Sequence, residues 1–120
     1  MSQFFINGGG GGGGGGGYTW NNEYSDYSAI KSNGYFNNSS LHAALPSSPA
    51  LGDSIIFYSN TSDTVIIDVP FGYTIQIGDE ESTGGGNASS ESLGATLELV
   101  YNSDDEVWHA VRISGFWELN

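Results

Sequence analysis

Apolar residues in this chain fall into short segments with a two-residue period, separated by clusters of Asn, Ser, Asp, Gly and Pro. In Ala95–Tyr101, Leu97, Leu99 and Tyr101 share one face and Thr96 and Glu98 the other, the pattern of a half-buried strand. Ser54–Tyr58 and Thr64–Val69 are β-branched and aromatic, and Ser59 to Asp63 reads as the turn between them. Leu41–Leu45 runs into a turn at Pro46 to Pro49, and Pro70 to Gly72 leads into a strand at Tyr73–Ile77. Asn102 to Asp105 turns the chain into Glu106–Ile113, and Phe116 to Leu119 closes it. Gly78–Glu91 reads as one long polar loop. Tyr18–Asn38 is rich in Tyr, Asn and Ser, has no sustained 3.6-residue period, and favours turns.

No segment predicts a helix. Short strands at fairly even spacing predict an all-β domain over residues 18–120, an antiparallel β sandwich or barrel-like meander. The pairs Ile55-Ile56 and Ile66-Ile67 put apolar groups on both faces of their strands, which strands buried on both sides do. In so small a domain the second face is expected to pack on another subunit. Ile55, Phe57, Ile67, Leu97, Leu99, Trp108 and Trp117 are therefore the expected core or trimer seam.

Residues 1–17 differ in character. Seven mixed residues precede ten consecutive glycines, Gly8 to Gly17. A run without side chains buries nothing and costs more to order than any other. Extended, ten residues span about 31 Å. The expectation is an extended poly-glycine arm that tethers an anchor made of Phe4, Phe5 and Ile6. That apolar tip is too short for a secretion signal and has no basic residue before it.

Composition narrows function. Net charge is −12, with Lys31 and Arg112 the only Lys or Arg. Such a field repels nucleic acid and anionic lipid, so neither is expected as a partner. Cysteine is absent, which removes disulfides and thiol chemistry.

Candidate chemistry is sparse. The glycine run satisfies G-x-G-x-x-G trivially but is followed by Tyr18-Thr19-Trp20, without the Lys-Ser/Thr ending of a phosphate loop. His42 and His109 are far apart in sequence, and no Gly-x-Ser-x-Gly elbow is present. Asp79 to Glu81 and Asp104 to Glu106 offer oxygens to calcium but fit no EF-hand loop, and read as solvated turns. Asn37, Asn38, Asn60 and Asn87 lie in Asn-x-Ser/Thr sequons and read as turn residues. The expectation is a protein that is not an enzyme and uses no metal or other cofactor. Tyr18, Trp20, Tyr24, Tyr27, Tyr35 and Phe36 crowd one stretch beside many amides, a composition suited to contact with protein, or with glycan.

From Tyr18 onward the chain resembles a β module of phage tail-fibre and virion-surface proteins. The resemblance rests on Asn33 to Asn38, Leu45-Pro46, Leu51 to Asp53, Tyr73 to Gly78, the Ser82 to Ser90 loop, Thr96 to Tyr101, Trp108, and Ser114 to Trp117. The opening residues 1–8 also look like the start of such proteins. The resemblance implies a β-rich homotrimer on the exterior of a phage particle, made in the host cytoplasm, without catalytic residues. Its expected partners are its own copies and other capsid or tail proteins. The shortness of the chain leaves its place on the particle open, and a capsid decoration or cement protein docking through its N-terminal arm is placed first. The alternatives are a short tail-fibre or tail-tip component, or a carbohydrate-binding adhesin for the host surface.

Overall fold

The computed structural model describes residues 17–120. The anchor expected at Phe4, Phe5 and Ile6, and the glycines up to residue 16, lie outside them. The described residues contain twelve strands and no helix, as the alternating pattern predicts. From Thr19 the chain winds back and forth between two sheets. β1 (Thr19–Glu23), β3 (Asn33–Asn37) and β5 (Ser54–Ser59) lie side by side and parallel in one. β2 (Tyr27–Ser28), β4 (Leu41–Ala44) and β6 (Val65–Asp68) do the same in the other. Each passage through both sheets is one turn of a coil, and three turns stack.

The other six strands complete the two layers. β10 (Thr96–Asn102) runs antiparallel to β5, and β11 (Val107–Ser114) antiparallel to β10. β7 (Thr74–Ile77) lies parallel to β11, and β8 (Glu80–Glu81) folds back on β7. In the second sheet β9 (Asn87–Ser90) pairs with β6 and β12 (Glu118–Leu119) with β9. The larger sheet has seven strands, in the order β1-β3-β5-β10-β11-β7-β8; the smaller has five, β12-β9-β6-β4-β2.

Both sheets are therefore mixed, not antiparallel as expected. Five of the ten strand pairings are parallel and five antiparallel. Parallel neighbours need a crossover. In the coil each of the four crossovers is itself a strand of the opposite sheet, so polar links such as Asn38–Ser40 carry the chain across the core instead of turning it into a hairpin.

The core lies between the sheets. Burial alternates strictly along β5, β6 and β10, and Ile55, Phe57, Ile67, Leu97, Leu99 and Trp108 are fully buried, with Trp117 nearly so. These seven residues belong to the core of the single chain. Ile56 and Ile66, the second members of the isoleucine pairs, are half-buried on the outer faces.

Two polar stretches form strands that the pattern does not predict. Tyr18–Asn38 holds β1, β2 and β3, and Gly78–Glu91 holds β8 and β9. Long-range pairing decides both. β9 is enclosed by β6 and β12, and the backbone oxygen of Asn120 accepts hydrogen bonds from the backbone N–H groups of Thr83 and Asn87. That oxygen occupies the space a Cβ on Gly86 would need, which only glycine leaves open.

Asn37 is a fully buried amide whose hydrogen bonds tie the layers together. Its Oδ1 accepts from the Tyr27 hydroxyl of β2 at 2.8 Å, and its Nδ2 donates to the Tyr58 carbonyl of β5 at 3.2 Å. The indole N–H of Trp117 donates to the Thr96 carbonyl at 3.1 Å, whereas that of buried Trp108 has no partner among the described residues.

Two stability predictions follow from this packing. Leu99→Ala removes a fully buried side chain and should cost about 2–5 kcal/mol in urea unfolding. Asn37→Ala leaves the Tyr27 hydroxyl and the Tyr58 carbonyl without their partner and should cost about 1–3 kcal/mol by the same measurement.

Candidate functional site

The strand register gives the outer face of the larger sheet an ordered surface. One row across the sheet reads Trp20, Gly34, Ile56, Glu98, Arg112, and the next Asn22, Phe36, Tyr58, Thr96, Ser114. Trp20 sits on the edge strand β1 and lies flat across Gly34. A Cβ built on Gly34 would stand 2.7–2.8 Å from three atoms of the six-membered indole ring, so this glycine is what lets the ring lie down. The ring's other side faces solvent, and Trp20 remains 45 % exposed. Phe36 packs beside it with centroids 4.7 Å apart, and Tyr58 meets Phe36 edge-on at 5.6 Å. Ile56 fills the floor of the same stripe.

Hydrogen-bonding groups border this aromatic stripe at both ends. At one end the amides of Asn22, Asn38 and Asn60 form a ladder. Asn38 Nδ2 donates to Asn22 Oδ1 at 3.2 Å, and Asn60 Nδ2 donates to Asn38 Oδ1 at 2.7 Å. At the other end Glu98 accepts from the Tyr18 hydroxyl on one oxygen and lies 3.2 Å from Arg112 Nε on the other. The carboxylate is thus neutralised locally while Arg112 stays exposed.

Of the six aromatics singled out by composition, the structure brings Tyr18, Trp20 and Phe36 onto this face. Tyr24 is exposed just beyond β1. Tyr35 is not a contact residue. Tyr35 is buried in the core between Tyr27 and Phe57, and Tyr27 packs half-buried against it with its hydroxyl on Asn37. The two-residue period separates Tyr35 from Phe36, sending one inward and the other outward. Sequence reasoning missed Tyr58, Ile56, Glu98, Arg112 and the asparagine ladder. The register that aligns them was the missing signal.

The remaining polar candidates lie elsewhere. His42 Nδ1 is 2.7 Å from Asp68 on the outside of the smaller sheet, and His109 Nε2 is 2.9 Å from Asp105. Asp79 to Glu81 and Asp104 to Glu106 are exposed turn and strand-edge residues. Among the described residues no three His, Asp or Glu side chains are grouped to hold a metal ion. A shallow groove at the ends of β2, β4 and β6 is lined by Ser28, Ala44, Pro46, Asp68 and Pro70.

Burial and the hydrogen bond to Glu98 push the Tyr18 hydroxyl up from its ordinary 10.0 to about 12, and burial also raises Tyr27. The folded state thus keeps a proton that the unfolded chain releases near pH 10. The contribution is complete below pH 10 and is lost as pH rises toward 12. A melting-temperature series should fall across that interval, and Tyr18→Phe should fall less steeply.

No family model matches this chain, and no curated protein matches it.

Proposed function

We propose that this chain is a non-enzymatic structural component of a bacteriophage virion, displayed on the outside of the particle and associating with copies of itself. The β-module resemblance set out above supports the virion reading. The observation that carries self-association is the overhang of β11. β7 pairs only with Val107–His109, so among the described residues Ala110–Ser114 has one unpaired edge. Val111 is the extra residue of the bulge opposite Glu98 and Leu99, and it is exposed together with Ile113 and Phe116. Ile113 stands opposite the buried Leu97, on the core side of its strand, but lies past the end of β7 and stays uncovered. An uncovered apolar strand edge is a ready template for another chain. A trimer that closes over three such edges leaves none to aggregate.

Within the virion reading, capsid decoration through the N-terminal arm is favoured over a tail-fibre or tail-tip position.

Copy number in purified particles tests the location. Hundreds of copies are expected for a capsid protein, a dozen or two for a tail part, and none would refute the proposal. Deleting residues 1–17 should leave a folded domain that no longer joins particles. For the seam, Ile113→Lys should lower the mass measured by light scattering while the circular-dichroism spectrum stays that of the folded domain, because the side chain is already exposed in the single chain.

A further inference from the structure

We infer that the stripe centred on Trp20 is a binding platform for a neutral saccharide. The inference rests on the virion-surface reading only for where such a ligand would be met; the geometry stands apart from it. A pyranose ring presents a flat face of C–H bonds with slight positive charge, and an indole presents a flat face of negative charge. Stacking the two requires an aromatic ring fixed in the plane of the surface with one face open. Trp20 meets that requirement: Gly34 supplies the floor, Phe36 packs at its side, and the opposite face is in solvent.

Hydroxyl groups on the rim of a sugar both donate and accept, so their partners must offer both. The asparagine ladder does. The Asn22 amide nitrogen and Asn60 Oδ1 have no partner among the described residues, and they sit at the two ends of a chain of amides already fixed by its own hydrogen bonds. At the opposite border Arg112 adds donors, held in place by Glu98. Adjacent strands are about 4.8 Å apart, so Trp20 and Glu98, three strands apart in register, border a platform about 14 Å long. That length accommodates more than one sugar ring.

The surroundings also select the ligand. With a net charge of −12 and two Lys or Arg in the whole sequence, the chain repels an anionic polysaccharide. The one carboxylate on the platform is already neutralised by Tyr18 and Arg112, so a neutral chain meets no unpaired charge. Protein interfaces concentrate their energy where an anchor side chain enters a desolvated pocket. On this face the Trp20 ring instead lies across the sheet surface, with Phe36 tilted 33° to it and Tyr58 meeting Phe36 edge-on.

The test is calorimetric titration of the full chain with linear hexasaccharides, with the tryptophan indole N–H signals followed by NMR. The probes are a β-1,4-glucose hexamer, an α-1,4-glucose hexamer and an α-2,8-sialic acid hexamer. At least one neutral hexamer should bind and shift the Trp20 signal. Trp20→Ala should weaken binding at least about tenfold, as expected for losing a central aromatic anchor. Gly34→Ala, which lifts the ring, should weaken binding although Trp20 is retained, and Phe71→Ala, at an exposed turn residue before β7, should leave it unchanged. Lack of binding by both neutral hexamers at about 10 mM would overturn the inference. So would undiminished binding by Trp20→Ala, or tighter binding of the sialic acid hexamer. Particle incorporation is measured on the same variants. A Trp20→Ala chain that joins particles normally but takes no sugar supports the platform independently of assembly. One that keeps sugar binding but fails to join particles assigns the face to a protein partner and overturns the inference. A wild-type chain that binds sugar but is absent from particles refutes the virion reading alone.

Discussion

A single buried amide holds the two layers in register. Asn37 is enclosed on all sides, and its oxygen and nitrogen are used by a hydroxyl of one sheet and a carbonyl of the other. A group of this kind is costly to bury unless both ends are satisfied. The three-turn coil satisfies them only when β2, β3 and β5 are stacked in one alignment. That alignment fixes the rest. It sets Tyr35 against Phe57 in the core, and it sends Gly34 and Phe36 to the outside, where Trp20 can lie across them. A slip of one residue would exchange the two faces of β3, burying Phe36 and exposing Tyr35.

The coil and the antiparallel strands divide the work of the fold. The coil supplies stacked, in-register positions, and these create the aromatic stripe and the ladder of amides. β10 supplies the longest alternating run of buried residues, and β10 and β11 carry Glu98 and Arg112 to the far border of the stripe. The bulge in β11 then offsets the outer half of that strand past β7 and leaves Val111 and Ile113 uncovered. One sheet therefore presents two surfaces of different kinds: a flat aromatic face, and an apolar edge.

The strands with a strong alternating pattern were legible in the sequence. β5, β6 and β10 fall where the apolar residues predict them, and each of the seven residues expected at the core or seam is buried. Strand direction was not legible, because Asn- and Ser-rich links serve equally for hairpins and for passages between sheets. β1, β8 and β9 were hidden for a related reason: they are made of polar residues and exist through their neighbours, β9 through β6 and β12 above all. The aromatic face was half legible. Composition indicated the stretch, but assigning Trp20 and Phe36 outward and Tyr35 inward required the pairing with β5. The partners on β5 and β10, more than twenty residues away, carry no local mark.

The first turn of the coil has a consequence for how this architecture can change length. The positions of β1 that fall in line with Tyr35 and Phe57 are hydrophilic, with Asn21 flanked by Thr19 and Glu23. A further copy stacked there would find no greasy inner wall to rest on, so β1 acts as a terminator. Growth by duplication at this end is closed, and any lengthening must be inserted between turns that already share an oily interior.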